Sequence, residues 1–157
     1  MQWPGGLPKG KTYSHPVVSL DIMATIVALT KAPVAKECPL DGVNLVPFLT
    51  GKKKEPPHQG IFLRKFDSES TAVRSGERKL VTYDNKGYTG LFDLTEDISE
   101  SKNIRDQTPK DVARLKSLWN DWNKSNIDPV FKGLIHTPAW QKKREQAARN
   151  KAEDDNK

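Results

Sequence analysis

Between residues 58 and 93 the chain is cut into four short runs of strand-forming residues: Ile61–Phe66, Thr71–Ser75, Arg78–Asp84 and Tyr88–Asp93. Gly76-Glu77 and Asp84-Asn85-Lys86-Gly87 separate the last three at hairpin spacing, and glycine at the first central position suits a type II′ turn at Gly76-Glu77. This pattern predicts an antiparallel meander. Thr108-Pro109-Lys110-Asp111 then reads as a helix start, with threonine as N-cap, proline at N1 and an acid at N3 beside the positive helix end. Val112, Leu115, Leu118, Trp119 and Trp122 recur at three- and four-residue steps, so the helix carries one apolar stripe to lay across the sheet. Trp119 and Trp122 complete that stripe and are read as core or interface aromatics rather than a carbohydrate platform.

The preceding residues have a different character. Pro4-Gly5-Gly6, Pro8 and Gly10 make residues 1–18 a turn-rich connector. Ser19 offers an N-cap, and Leu20, Ile22, Met23, Ile26, Val27 and Leu29 place apolar side chains on more than one face of a helix that ends before Pro33. Such a helix needs cover on several sides. Asn44 is positioned to cap a short helix over residues 45–50, with Pro47 in its first turn and Gly51 as its stop. Lys52–Pro57 has the charged, proline-rich composition of a linker. The expected division is therefore 1–57, a first unit with its linker; 58–135, the sheet-and-helix unit; and 136–157, a polar tail in which Trp140 alone has surface to dock.

Composition limits what the 157 residues can do. A hydrophobic fraction of 35% supports only a small core. The most apolar run, Ile22–Leu29, is far short of the roughly 18 to 20 residues a bilayer demands, so no membrane span is expected. The chain as written has no charged n-region followed by an apolar segment, which points to a cytoplasmic location if it is expressed in that form. Cys38 is the only cysteine and excludes an internal disulfide or a cysteine-cluster metal site. Net charge is +6. The basic groups at Lys52-Lys53-Lys54 and Lys142-Lys143-Arg144 are followed by Glu55 and Glu145 and lack interleaved aromatics, so no nucleic-acid partner is expected. Asp154-Asp155-Asn156 sits in the tail without a scaffold to hold oxygens around a cation and is read as solvated.

Several stretches resemble the back half of the formylglycine-dependent sulfatases, the arylsulfatase and N-acetylgalactosamine-6-sulfatase-like family. They are Trp3-Pro4-Gly5, Leu7-Pro8-x-Gly10, His15 through Ile22, and Leu40-Asp41-Gly42-Val43-Asn44-Leu45-x-Pro47-x-Leu49-x-Gly51. Ala72 through Val81 is similar to that family's hairpin, and Leu91 through Asp97 with Glu100 and Asn103 to its next signature. The likeness runs over about residues 1–125. Ala24 and Ile98 stand where the family commonly has proline, which affects local turns only. The resemblance implies an α+β fold: a C-terminal fragment of the sulfatase (alkaline-phosphatase-like) architecture, with a small four-stranded antiparallel sheet against a helix, preceded by helical remnants of the large α/β domain. It also implies a parent commonly found in the periplasm, outside the cell or in lysosomes.

The family's chemistry, by that resemblance, uses an aldehyde hydrate made from cysteine or serine in a C/S-x-P-x-R motif, beside a calcium ion held by acids and an Asp-Asn. A nucleophilic oxygen, a polarising cation and groups that protonate the leaving group are all needed. Cys38 is followed by Pro39-Leu40-Asp41-Gly42, and Ser14 by His15-Pro16-Val17-Val18, so neither has arginine at the required offset. His15, His58 and His136 come without a partner acid or ligand spacing. Asp21 is read as favouring its helix N-terminus, and Arg74 and Lys79 as pointing to solvent or toward a missing domain. No catalytic, cofactor-binding or metal-binding residue is assigned; formylglycine and calcium belong to the parent family. The expected function is thus a C-terminal piece of a sulfatase, inactive alone, whose partners would be the missing N-terminal domain and, through it, a sulfate ester such as a sulfated glycan. The alternative is a stand-alone binding module for acidic glycans. An independently active hydrolase ranks last.

Overall fold

The computed structural model describes residues 2–130, 138–143 and 145–146. Two helices come first, α1 (Leu20–Thr30) and α2 (Val46–Leu49), followed by four strands, β1 (Ile61–Lys65), β2 (Ser70–Ser75), β3 (Arg78–Tyr83) and β4 (Tyr88–Asp93), and a third helix, α3 (Pro109–Asn123). The strands form one antiparallel sheet in the order β1-β2-β3-β4. This is the expected α+β arrangement.

Register follows from which side chains must be buried. Phe62, Val73, Leu80 and Leu91 lie opposite one another in successive strands and form a row across a single face. Leu115 of α3 sits on that row, fully buried with Leu91, and Ile104, Val112, Leu118 and Trp119 close around it. Removing a leucine side chain of this kind from water is worth about 2–3 kcal/mol. Trp122 extends the contact by stacking on Phe62 with ring centroids 5.1 Å apart. Between β2 and β3, Gly76 has φ +59° while Glu77 keeps a negative φ, the combination a type II′ hairpin requires.

The ends of the elements differ from expectation. Phe66 and Asp84, read as strand residues, instead begin short 3₁₀ turns at Phe66–Ser68 and Asp84–Lys86. Neither Ser19 nor Thr108 caps its helix through the side chain. The Thr108 hydroxyl donates to the carbonyl of Ile104 at 3.1 Å, and Pro109, which has no N–H, removes one of the donors that would need a cap. At α2 the N-cap position falls on Leu45, which makes no side-chain cap; Asn44, one residue earlier, instead accepts the N–H of Val46, the first helical residue, through Oδ1 at 3.0 Å.

Candidate functional site

Helix α1 is mostly apolar, yet it carries two polar residues at i and i+4, Asp21 and Thr25, which share a face and are both buried. Thr25 Oγ1 accepts the N–H of Leu45 at 3.0 Å. Asp21 is completely buried and more heavily engaged: Oδ2 accepts the N–H of Val18 at 2.9 Å and Oδ1 that of Val43 at 2.9 Å. His58 Nε2 lies 3.0 and 2.9 Å from the two carboxylate oxygens. An ionised carboxylate can only accept, so Nε2 carries the proton of this bond. Burial pushes the Asp21 carboxyl upward, but the hydrogen bonds from His58, Val18 and Val43, with the charge of the imidazole, outweigh it and hold the group below its ordinary value.

Gly42 makes this convergence possible. A Cβ there would lie 2.3 Å from the Leu20 carbonyl oxygen and 2.7 Å from the Asp21 nitrogen, so only glycine lets the 42–45 strap reach the start of α1. His58 therefore does have a partner acid, contrary to the sequence reading, and Asp21 is a clamp between three chain segments rather than a helix-end charge alone. The residues are 37 positions apart, beyond the reach of any local pattern. The available signal was Asp21 and Thr25 on one face of an apolar helix.

The other expected residues do not join this cluster. Cys38 and Ser14 are exposed. His15 packs edge-on against Tyr13, with ring centroids 5.5 Å apart, beside a hollow of about 460 Å³ that Leu45 and Phe48 also line. Arg74 and Lys79 face each other across β2 and β3, on the side of the sheet away from α3. Lys79 Nζ binds Glu100 at 2.5 Å, and Arg74 Nε donates to the Gly76 carbonyl at 3.2 Å. Trp119 and Trp122 belong to the α3 packing, as their spacing predicts. His136 and Asp154-Asp155-Asn156 lie outside the described residues.

No family model matches the chain. It is 33% identical over 144 residues to arylsulfatase A of Bos taurus, an alignment that covers 74% of this chain and 28% of that protein. With human (Homo sapiens) steryl-sulfatase it shares 31% identity over 62 residues, 40% of this chain and 11% of the other. Among solved structures, Ps i-CgsB superimposes with a TM-score of 0.70 at 28% identity, covering 82% of this chain and 29% of that one. The chain is a partial homologue of the sulfatases. It spans between about a tenth and three tenths of the length of these sulfatase relatives and the matched structure.

Sulfatase chemistry calls for a calcium site, and the described residues do not fit one. Calcium takes six to eight oxygen ligands. Asp21, the only fully buried carboxylate among the described residues, already gives its oxygens to two backbone N–H groups and an imidazole, all of them donors. Among the described residues no group of three His, Cys, Asp or Glu side chains is gathered. No helix among them is long and apolar enough to cross a membrane. What the Asp21 site supplies is the attachment of α1, the 42–45 strap and the entry to β1 to one another.

Proposed function

We propose that this chain is the C-terminal piece of a sulfatase, that it does not hydrolyse sulfate esters alone, and that it serves to cover the helices of a large catalytic domain and shape the rim of its pocket. Residues 1–57 would be the last part of that domain with a linker, 58–135 the terminal subdomain, and 136–157 a tail. The carrying observation is α1. Its polar face is pinned by Asp21 and Thr25, while Leu20, Ile22, Met23, Ile26 and Leu29 remain 46–57% exposed. A contiguous apolar face on a well-anchored helix marks a contact surface, and the share of the sulfatase relatives that is not covered here is where its partner would come from.

The test joins genetics and turnover. The reading frame upstream of this coding sequence is searched for a C/S-x-P-x-R motif, and the encoded segment is co-expressed with this chain. Aryl sulfate hydrolysis in the presence of calcium is expected from the pair and not from the chain by itself. Calcium-dependent turnover by the purified chain alone would refute the proposal.

A second reading, a binding module for acidic glycans, draws support from the face of the sheet away from α3, where Lys65 and Lys86 stand beside Lys79, itself paired with Glu100. The structural relative Ps i-CgsB has been solved in complex with k-i-k-neocarrahexaose.

A further inference from the structure

The two edges of the sheet are finished differently. At β4 the chain that follows the strand meets the backbone groups turned outward: Asn103 Oδ1 accepts the Leu91 N–H at 3.0 Å, and the Leu91 carbonyl accepts the Ile104 N–H at 2.9 Å. The Thr89 carbonyl accepts from Asn103 Nδ2 and Arg105 Nη1 at 3.1 and 3.2 Å, and the Asp93 carbonyl from the Asp97 N–H at 2.9 Å. That edge is closed.

The other edge is β1. A two-residue hairpin at Gly76-Glu77 makes Ser75 and Arg78 a hydrogen-bonded pair, so alternation along β2 turns Arg74, Ala72 and Ser70 toward β1 and binds Ile61, Leu63 and Lys65. The N–H and C=O groups of Phe62 and Arg64 therefore point off the edge, and among the described residues nothing bonds them. Asp128 meets Arg64 through the side chain only. Leu63, between these two residues, is 61% exposed. An open row of this kind is a template for another strand.

We propose that β1 pairs antiparallel with β1 of a second copy of this chain, about a two-fold axis at Leu63. In that register Phe62 of each copy lies opposite Arg64 of the other, and each such pair exchanges two N–H···O bonds, so every outward group finds a partner. Leu63 faces its own counterpart at a non-hydrogen-bonded position, where side chains come closest. Lys65 faces Ile61 rather than another cation, and Arg64 keeps its Asp128. Neighbouring registers lose these matches. An axis at Arg64 sets two guanidinium groups opposite each other, which is unfavourable, and an axis at Phe62 sends Arg64 past the end of the partner strand to Gly60. The pair is closed at two chains, because the joined sheet ends on two covered β4 edges; any larger species belongs to the α1 face. One five-residue strand buries less than the roughly 1,200 Å² of a stable interface, so the dissociation constant should be of the order of 100 µM. Pairing at β1 is independent of both readings under Proposed function, since neither uses this edge.

The test is a register-specific cross-link in the full chain at about 100 µM protein, near the expected dissociation constant. Cys38, which is exposed, is first replaced by Cys38→Ser. Leu63→Cys should then form a disulfide-linked dimer under mild oxidation, because facing Cα atoms at such a position are about 4.5 Å apart. Lys65→Cys should not, since its two copies would lie about 13 Å apart along the strands, beyond the limit of about 7 Å. Added to Leu63→Cys, Arg64→Pro deletes an outward N–H without touching the β2 ladder and should cut cross-linking roughly tenfold. Arg64→Ala removes the side chain, keeps the N–H and should leave cross-linking unchanged, as should Ile22→Gln/Met23→Gln/Ile26→Gln on α1. Thermal melts check folding; if Arg64→Pro unfolds, Leu63→Lys, which brings two ammonium groups together at the axis, takes its place in sedimentation and should leave only monomer. Equal cross-linking at 63 and 65, or none at 63, would overturn the pairing. A loss with Arg64→Ala as large as with Arg64→Pro would replace backbone pairing by a side-chain contact, and a loss with the α1 substitutions would move the contact to α1; either result overturns the proposal.

Discussion

Asp21 joins more of the chain around α1 than any other side chain of that helix. Its carboxylate closes the Val18 and Val43 N–H groups and the His58 ring together. Asp21→Asn keeps the shape but turns two acceptor oxygens into one acceptor and one donor, which leaves a buried N–H facing another donor. The expected loss is about 2–4 kcal/mol, read as a shift in the urea midpoint at pH 7. Because the folded carboxyl is held below its ordinary value, the unfolded chain takes up the proton first as pH falls. The contribution is therefore complete above the unfolded value of about 4 and disappears as pH drops through it toward the folded value. Urea midpoints of the wild type and Asp21→Asn should accordingly stay apart above about pH 4 and converge as the pH falls below it. A gap that persists well below about pH 4 would mean that packing, not charge, makes Asp21 matter.

At the level of elements, the sheet and α3 were readable because their signals are local. Val73, Leu80 and Leu91 alternate with outward residues at the strand period of two, and Val112, Leu115, Trp119 and Trp122 repeat at the helical period, so each element announces its buried face. Leu115→Ala tests that reading: its side chain is fully buried under three strands, and truncation should destabilise the chain by about 2–5 kcal/mol in chemical denaturation. Loss of less than 1 kcal/mol would mean that α3 is not seated on the sheet. Element ends were less legible. Ser19 and Thr108 have the residue types of N-caps, but their hydroxyls do not bond the first helical N–H groups; at α1 the N–H of Ile22 goes to the Ser19 carbonyl. The candidate site was hidden for a further reason. It depends on a close approach at Gly42 and on a histidine 37 residues from its acid, and neither distance has a sequence periodicity.

For the whole molecule the decisive asymmetry is between the two sides of α1. One side holds Asp21, Ala24 and Thr25 below 10% exposure, while the other leaves five large apolar side chains about half open. Such a surface in a monomer lowers solubility and recruits another apolar face when one is present. Replacing Ile22, Met23 and Ile26 together with glutamine should therefore leave the unfolding midpoint nearly unchanged, within roughly 0.5 kcal/mol per site, since little burial is lost. The same change should suppress self-association in sedimentation and binding of a hydrophobic dye. In the presence of a co-expressed catalytic segment, it should also abolish co-purification, because those side chains are the contact that the proposed assembly needs. If the substituted chain instead unfolds readily, the exposed face already contributes to the isolated fold, and the partner would have to dock elsewhere.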